Sequence, residues 1–364
     1  MANWENHQVN KPDLKPHIEI NGRKIGLGQP TYIIAEISAN HHQNFDRAVE
    51  LVQLAHRSGA DAVKLQTYTA DTLTIDSDQP HFQINQGTVW DGTRLYDLYK
   101  EAYTPWEWQP ELMKIANQFG IDLFSSPFDA TAVDFLESMN VPAYKIASFE
   151  IIDVPLLRKV AATGKPVIVS TGMATIDEIE QAVEILQANG CDQIALLKCT
   201  SAYPAPLDSM NLNTIADLKS RFQIPVGLSD HTLASLAPVV SVCLGGTIIE
   251  KHLTVSRNEK GPDSSFSLEP EEFAEMVGAV REAEKTIGSV HYGTTKSDKN
   301  NLAFRRSLFA VQDIQAGEKF TDQNVRSIRP GQGLEPVHID QVMKSNAAET
   351  IPRGTPLNWR HVVR

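Results

Sequence analysis

Eight short runs rich in β-forming residues alternate with helical patterns between residues 31 and 253. The runs cover residues 31–38, 62–66, 121–126, 143–148, 167–171, 194–200, 225–231 and 247–253. Strands that alternate with helices, here mostly at spacings of about 20 to 30 residues, form parallel sheets because each helix carries the chain back across the sheet. Eight such units predict a closed (β/α)8 barrel of the TIM type. No Gly-x-Gly-x-x-Gly motif follows the first run, which weakens the alternative of a doubly wound open sheet.

Residues typical of helix starts separate these runs. Asn44 is a favourable N-cap for a helix that follows it. Thr104–Glu107 and Thr175–Glu178 match the capping box, in which a threonine hydroxyl and a glutamate carboxylate pair with the first backbone N–H groups of a helix. The predicted helices cover residues 45–58, 105–119, 175 to about 190, and 270–287.

Two segments depart from the alternation. Asn21-Gly22, between two alternating runs, predicts a β-hairpin over residues 17–25. The segment from Thr67 to Thr104 shows no clear period, and a loop that long in a compact domain usually has a function. Its aromatic and amide side chains could cover a sugar; they are Tyr68, Phe82, Gln83, Asn85 and Tyr96.

The pattern changes after Gly288. Residues 289–303 are polar and predict a linker, whereas residues 304–364 contain short β-rich runs between turn residues. We therefore expect a barrel with an N-terminal hairpin over residues 1–288, followed by a small β-rich domain over residues 304–364. A domain of that size has little core of its own, so we expect it to dock on another surface.

Composition excludes several classes of protein. The net charge of −12 argues against a nucleic-acid surface, although a local basic pocket could still bind a small anion. No apolar run approaches the roughly 20 residues that span a bilayer, and the first 15 residues are polar without a signal-peptide core. The three scattered cysteines form neither a disulfide framework nor a zinc-binding pair. We expect a cytoplasmic protein without membrane or nucleic-acid partners.

Polar residues lie at the carboxyl end of nearly every predicted strand, which is the end of a barrel where active sites lie. They are Glu36, Ser38, Lys64, Gln66, Ser125, Ser126, Lys145, Ser148, Ser170, Thr171, Lys198, Thr200, Ser201, Ser229, Asp230, His231, Glu250, Lys251 and His252. A single residue of this kind often faces a helix or solvent. The whole set predicts a functional site.

Two lysines and several hydroxyl groups within this set suit an oxyanion such as phosphate. Lys64 and Lys145 would supply positive charge and the serines would donate hydrogen bonds. One alternative is that these lysines form buried salt bridges with a glutamate at a strand end. Another is that one of them forms a Schiff base, as in class I aldolases.

Two histidines end adjacent predicted strands, whose spacing is about 5 Å. His231 and His252 could therefore bind one Mn²⁺, Mg²⁺, Co²⁺ or Zn²⁺ ion, together with Glu36, Asp263 or water. Such a pair could equally hydrogen-bond a substrate or lie in the core.

Ten sequence blocks together resemble the sialic-acid synthase family, from about residue 17 to residue 364. They are AEISANH (35–41), ADAVKLQT (60–67), FSSPFD (124–129), VPAYKIAS (141–148), KPVIVSTGMAT (165–175), KCTSAYP (198–204), PVGLSDHT (225–232), IIEKH (248–252), GPD (261–263) and IRPGQG (328–333). The resemblance implies a TIM barrel joined to a SAF domain, which is similar to type III antifreeze protein. It also implies a domain-swapped homodimer in which the SAF domain of one chain covers the barrel mouth of the other.

The resemblance also implies roles for individual residues. The positions that match phosphoenolpyruvate contacts are Lys64, Ser126, Lys145, Ser148, Ser170 and Ser229. His231 and His252 match metal ligands, for which we expect Mn²⁺, with Mg²⁺ or Co²⁺ as alternatives. Residues around the sugar are matched by Glu36, Gln66, Asn85, Tyr203, Glu250 and Asp263, and by Arg329 of the partner's SAF domain. Ser126 departs from the threonine expected in the sialic-acid branch but keeps the hydroxyl.

Within the family, the sequence most resembles the pseudaminic acid synthase branch, through Glu36–His41, Leu65–Thr69 and Leu95–Trp108. The implied reaction is a metal-dependent condensation of phosphoenolpyruvate with the amino-sugar 2,4-diacetamido-2,4,6-trideoxy-L-altrose. It yields pseudaminic acid and phosphate, with Glu36 or Glu250 acting on the attacking water. The alternatives are an N-acetylneuraminate or legionaminate synthase with the same chemistry, a Schiff-base aldolase, and an inactive sugar-binding protein.

Overall fold

The computed structural model describes residues 13–363, which divide into two compact units. The first unit ends at Gly288 and the second begins at Ser289. Each has its own cluster of buried apolar side chains. Between residues 13 and 363, no helix combines the length and apolar character needed to cross a membrane.

An antiparallel hairpin precedes the barrel, as the sequence predicts. It consists of β1 (His17–Ile20) and β2 (Arg23–Gly26). Asn21 and Gly22 form the turn with positive φ angles of 47° and 78°, a backbone conformation that asparagine and glycine adopt at the lowest cost. Three isoleucines of the hairpin are fully buried and belong to the core of the barrel unit.

Eight parallel strands of the described chain close into a barrel in sequence order, which confirms the predicted fold. They are β3 (Tyr32–Glu36), β4 (Ala62–Thr67), β5 (Asp122–Pro127), β6 (Tyr144–Ile146), β7 (Val167–Ser170), β8 (Ile194–Cys199), β9 (Val226–Asp230) and β10 (Ile248–His252). Gly227 is required where β9 and β10 pack together, because a Cβ atom there would lie 2.1 Å from the carbonyl oxygen of Ile248.

Helices of the barrel unit follow the strands, and most of them bury apolar side chains in the barrel core. They are α1 (Phe45–Arg57), α2 (Ala70–Leu73), α3 (Leu95–Ala102), α4 (Gln109–Phe119), α5 (Ala130–Ser138), α6 (Val154–Ala161), α7 (Ile176–Ala188), α8 (Asn213–Phe222), α9 (Leu236–Cys243) and α10 (Pro270–Ile287). The predicted caps of α1 and α7 are confirmed: Asn44 accepts a hydrogen bond from the backbone N–H of Arg47, and Thr175 and Glu178 form a complete capping box.

The predicted capping box at Thr104 is wrong. A 3-10 turn covers Trp106–Trp108, and α4 begins only at Gln109 without a side-chain cap. Thr104 is fully buried, and its hydroxyl lies 3.1 Å from Nε2 of His41. This tertiary contact takes the hydroxyl that the local motif would have used.

The long segment between β4 and α4 is more regular than the sequence indicates. It contains α2, α3 and a 3-10 turn at Pro80–Phe82. Helices of four and eight residues are too short to show a clear period, so the expectation of a segment without secondary structure was wrong.

The second unit contains an antiparallel pair, β11 (Ser307–Ala310) with β12 (Val325–Ile328), and one α-helix, α11 (Ile339–Met343). Residues 299–304, at the end of the predicted linker, form a 3-10 helix. The described part of this unit has a small apolar core of its own. The buried apolar cluster consists of Leu308, Ala310, Ile314, Phe320, Val325, Val342, Ala347, Ile351, Leu357 and Val362.

Candidate active site

Strand register brings polar side chains from different strands into one layer at the carboxyl end of the barrel. Glu36 of β3 lies beside Lys64 of β4 and His252 of β10. Ser229 of β9 lies beside Glu250 of β10. Because side chains alternate along a strand, residues two apart such as Glu250 and His252 share the inner face.

Four charged residues form a buried ionic cluster inside the barrel. Lys64 pairs closely with Oε2 of Glu36, and its Nζ lies 3.5 Å from Oε1 of Glu250. Nζ of Lys145 lies 3.4 Å from the same Glu250 oxygen. All four side chains are at least 95% buried, so these contacts are little screened by water. The buried salt bridges considered as an alternative from the sequence are therefore present.

The pKa values of the two carboxyl groups in this cluster are shifted in opposite directions. Burial raises the pKa of Glu36 above its ordinary value, and the charge of Glu250 adds to the rise against the attraction of Lys64. Burial would also raise the pKa of Glu250, but Lys145 and Lys64 together hold it below its ordinary value. Glu250 is therefore the more firmly ionised of the two.

Serine hydroxyls surround the two lysines. Ser126 accepts a hydrogen bond from Lys64 Nζ at 3.2 Å, and Ser229 donates to Glu250 at 3.3 Å. Ser148 accepts from the backbone N–H of Gly172 at 3.1 Å. The hydroxyl of Ser170 is buried and has no hydrogen-bond partner in the described chain, which marks a polar position that a ligand can satisfy.

Gly172 allows a close approach between two of the loops that follow the strands. A Cβ atom at this position would lie 2.3 Å from the Ser201 hydroxyl and 2.7 Å from the Ser148 hydroxyl. The glycine thus leaves room for these hydroxyls beside a backbone N–H, an arrangement suited to an oxyanion.

Some polar residues at the strand ends belong to the packing between strands and helices. Lys251 is fully buried, and its Nζ lies 2.5 Å from Oδ2 of Asp230. The Ser125 hydroxyl lies 2.6 Å from the Thr67 hydroxyl, which in turn donates to Gln109 of α4. These residues alternate along the strands with the side chains that face the barrel interior. The prediction that all polar residues at the strand ends form the site therefore overstated its size.

The two predicted metal ligands lie together. The ring centroids of His231 and His252 are 5.3 Å apart. Nδ1 of His231 lies 3.0 Å from the Thr200 carbonyl oxygen, so as an N–H it donates there and leaves the Nε2 lone pair for a ligand. Burial, followed by the charge of His231, lowers the pKa of His252 well below its ordinary value, and the neutral imidazole is the form that binds metals.

The two carboxylates predicted to join this pair have other partners. Glu36 is paired with Lys64, and Asp263 accepts a hydrogen bond from the Ser38 hydroxyl, with its Oδ2 3.9 Å from Nδ1 of His252. Between residues 13 and 363, no three histidine, cysteine, aspartate or glutamate side chains are grouped to hold a metal ion. The donor set thus fits a divalent ion with two imidazoles and the remaining positions open to water or substrate.

A cavity of about 380 Å³ lies beside His252. Its lining includes Gln66, Tyr203 and Asp263, three of the predicted sugar-binding residues, together with His252. Asn85 does not line this cavity; its side chain is exposed on the long segment, so the structure does not bring it to the predicted site. Of the five loop residues expected to cover a sugar, only Tyr68 lines the cavity.

Three further cavity residues were not singled out from the sequence. Trp90 donates through Nε1 to the carbonyl oxygen of Pro262 at 2.9 Å and thereby ties the long segment to the loop after β10. Phe266 lies against Tyr203 and His252, with ring centroids 4.9 and 5.1 Å away. Burial raises the pKa of Glu150 to about 7, and its Oε2 has no hydrogen-bond partner within residues 13–363. Only tertiary packing brings them together, so no local motif indicated them.

Arg329 belongs to the second unit, directly after β12. Its side chain is exposed, and within residues 13–363 its guanidinium makes no hydrogen bond or ion pair. An exposed arginine with all its donors open to solvent can bind a ligand or another chain.

Two known families match the chain, and relatives match most of its length. The NeuB family matches residues 51–292, and the SAF domain matches residues 305–363, which confirms the SAF prediction. The pseudaminic acid synthase of Helicobacter pylori is 41% identical over 337 residues, covering 92% of this chain and 99% of that protein. The pseudaminic acid synthase of Campylobacter jejuni (strain 81-176) is 43% identical over 326 residues, covering 90% and 95%.

A solved crystal structure is also similar to this chain. The crystal structure of N-acetylneuraminic acid (sialic acid) synthetase from Leptospira borgpetersenii serovar Hardjo-bovis is 31% identical to this chain. It superposes with a TM-score of 0.70, and the alignment covers 80% of this chain and 96% of that one.

Proposed function

The chain belongs to the NeuB family, and from this premise we propose that it acts as a pseudaminic acid synthase. It condenses phosphoenolpyruvate with 2,4-diacetamido-2,4,6-trideoxy-L-altrose and releases pseudaminic acid and phosphate. The observation that carries this proposal is the buried group of two lysines and four serines directly beside two histidines. That group suits a small anion, and the two imidazoles would hold a divalent ion beside it.

Phosphoenolpyruvate occupies the lysine end of the site. Lys64 and Lys145 neutralise its phosphate and carboxylate, while Ser148 and Ser170 donate hydrogen bonds. Glu36 and Glu250 balance the charges of the two lysines, which gives the four groups a formal charge of zero.

His231 and His252 would hold the divalent ion, for which Mn²⁺ is our first choice and Mg²⁺ or Co²⁺ the alternatives. An ion held there would supply Lewis-acid polarisation of the sugar's aldehyde oxygen. The protein's own contribution is to hold both imidazoles in position. His231 is oriented by the Thr200 carbonyl, and Nδ1 of His252 lies 3.3 Å from the Ser38 hydroxyl.

Carbon 3 of phosphoenolpyruvate attacks the aldehyde carbon, water adds to carbon 2, and phosphate leaves with cleavage of the carbon–oxygen bond. We assign to Glu36 the role of the base that accepts a proton from this water. Oε1 of Glu250 lies between the two lysines and also accepts a hydrogen bond from Ser229, so it is held in place. Glu36 contacts one lysine and the backbone N–H of Ser38, and it is the more readily protonated carboxylate.

A second copy of the chain completes each site in this proposal. Large apolar side chains are exposed in the loops after β6, β7, β8 and at the start of α9, where Ile152, Met173, Leu207 and Leu236 are each at least 55% exposed. They follow four successive strands along the barrel mouth and suit a protein partner. We propose that the partner's SAF domain covers this rim and brings its Arg329 to the sugar in a domain-swapped homodimer.

Removal of either lysine charge should weaken phosphoenolpyruvate binding more than sugar binding. We expect Lys64→Met and Lys145→Met each to raise the Michaelis constant for phosphoenolpyruvate about ten- to hundredfold, since a charge-assisted hydrogen bond contributes roughly 1.5–3 kcal/mol. Lys198→Met is the matched control, because that half-buried lysine donates to the Cys199 carbonyl and lies outside the ionic cluster. Unchanged kinetics for phosphoenolpyruvate in both cluster variants would contradict the assignment.

Phosphate release with a panel of amino-sugars tests the proposed function. Phosphoenolpyruvate, Mn²⁺ and the diacetamido-trideoxy sugar should give phosphate at a higher kcat/KM than N-acetylmannosamine or the legionaminate precursor does. A preference for one of these other sugars would establish the corresponding synthase instead. No phosphate with any sugar, or a lysine adduct trapped by borohydride, would contradict the proposal and favour a binding protein or a Schiff-base aldolase respectively.

A further inference from the structure

The cavity lined by His252 has two contrasting kinds of surface. The polar part, which we call the floor, carries Gln66, Asp263 and His252. Much of the apolar part is supplied by the long segment between β4 and α4. A cavity of about 380 Å³ is large enough for a small substrate, so a bound sugar would contact both parts.

Helix α3 supplies the centre of this wall through one of its faces. Leu95, Leu98, Tyr99 and Ala102 line the cavity at positions i, i+3, i+4 and i+7, the spacing of a single helical face. The other face is polar and exposed, as Asp97, Lys100 and Glu101 show. We call this cavity-lining face of four residues the α3 wall.

The segment that carries the α3 wall is anchored on the N-terminal side of α3. The guanidinium of Arg94 lies 2.7 Å from Asp97 and 2.9 Å from both Asp76 and Asp78. Trp90 is tied to the loop after β10 through Pro262. These contacts fix the register of α3 over the cavity, so the wall presents a defined apolar surface to a ligand.

One polar group faces the same cavity beside this wall. Glu150 lines it, and its buried Oε2 has no hydrogen-bond partner within the described chain. An acetamido substituent matches such a surface, because its N–H can donate to a carboxyl oxygen while its methyl group packs on leucine. A hydroxyl group pressed against the leucines of this wall would lose its water, and it has no methyl group to pack there in return.

We propose that the α3 wall selects sugars in which ring hydroxyls are replaced by hydrogen or by acetamido groups. The inference rests on the proposed function and extends it by naming the element that sets sugar preference. The wall packs against the methyl groups of a deoxygenated, N-acylated sugar, while the barrel floor treats all sugars of the family alike. Sugar preference is thus set by the segment after β4 and the common chemistry by the barrel.

The test compares kcat/KM for the diacetamido-trideoxy sugar with that for N-acetylmannosamine. The two differ in their substituents at carbons 4 and 6 and also in configuration at carbons 2, 4 and 5, so the ratio is compared between the wild type and the wall variants and is not interpreted in the wild type alone. A hydrophobic pocket discriminates by roughly ten- to hundredfold for changes of this size. We expect Leu98→Asn to lower the ratio of kcat/KM for the diacetamido-trideoxy sugar to kcat/KM for N-acetylmannosamine by about that factor. The Michaelis constant for phosphoenolpyruvate should stay unchanged.

Leu95→Asn is a second variant of the same wall, and it should shift the ratio in the same direction if Leu98→Asn fails to fold. Ile75→Asn is the matched control, because that residue is 60% exposed on the same segment and does not line the cavity. Folded wall variants that keep the wild-type ratio would overturn the inference while leaving the proposed function intact. If the wild type converted neither sugar, the proposed function would be lost, and the inference with it.

Discussion

His231→Ala and His252→Ala should each lower kcat by roughly a thousandfold or more while the barrel stays folded. Lewis-acid stabilisation contributes several kcal/mol, and each 1.4 kcal/mol corresponds to tenfold in rate. The two imidazoles face each other with centroids 5.3 Å apart, and the described chain provides no third grouped ligand that could compensate. Treatment with EDTA should abolish activity as well, and added Mn²⁺ should restore it in the wild type only.

Surface His56 provides the control for these histidine variants. It is exposed on α1 and stacks on Phe119, so His56→Ala should retain wild-type turnover. Circular dichroism and thermal unfolding of each variant would separate loss of the ion from loss of the fold. Full activity after exhaustive chelation would show that the histidines serve another purpose.

Complementation between two inactive variants should reveal whether each site uses two chains. Arg329→Ala alone should lower activity strongly without unfolding the chain, because its exposed side chain makes no hydrogen bond or ion pair within residues 13–363. When Arg329→Ala chains are refolded with His252→Ala chains, a mixed dimer contains one site with both defects and one with neither. Random pairing then restores about a quarter of the intact sites.

Arg326→Ala is the matched control for this experiment. Arg326 is an exposed arginine on β12, three residues before Arg329, and its loss should leave activity unchanged. Mixed dimers can be isolated with two different affinity tags. If proven mixed dimers recovered no activity, Arg329 would serve its own chain's site or none.

The barrel was predictable from the sequence because its signals are local and repeated. Each strand is a short β-rich run, and most of the helices between them carry a cap or a glycine stop, as Asn44 and Thr175 illustrate. The lysines and histidines of the site were predictable because the carboxyl ends of parallel strands meet at one end of the barrel.

What escaped prediction depends on contacts between distant parts of the chain. Thr104 matches a capping motif, yet its hydroxyl lies beside His41, 63 residues away. Trp90 and Glu150 line the same cavity only because the long segment folds over it, and no periodicity in the sequence indicates that fold. Asn85 was assigned by resemblance across this same segment, where the short helices leave the alignment without a fixed register, and it lies outside the cavity.

The alternation of strand side chains also limits what strand-end residues can reveal. Lys251 and Asp230 are as polar as Lys64 and Glu250, yet they pair in the packing layer outside the inward-facing set. A shift of one position along a strand reverses the face, so a polar residue indicates the site only once its register is known.

Phosphoenolpyruvate labelled with ¹⁸O at the oxygen between carbon 2 and phosphorus would test the central claim most directly. The chain, Mn²⁺ and the diacetamido-trideoxy sugar would be incubated with this substrate, and both products weighed by mass spectrometry. The account predicts that the released phosphate carries the label and that the nine-carbon acid, with the mass of pseudaminic acid, does not. Label retained in the sugar acid, or no nine-carbon acid at all, would contradict it.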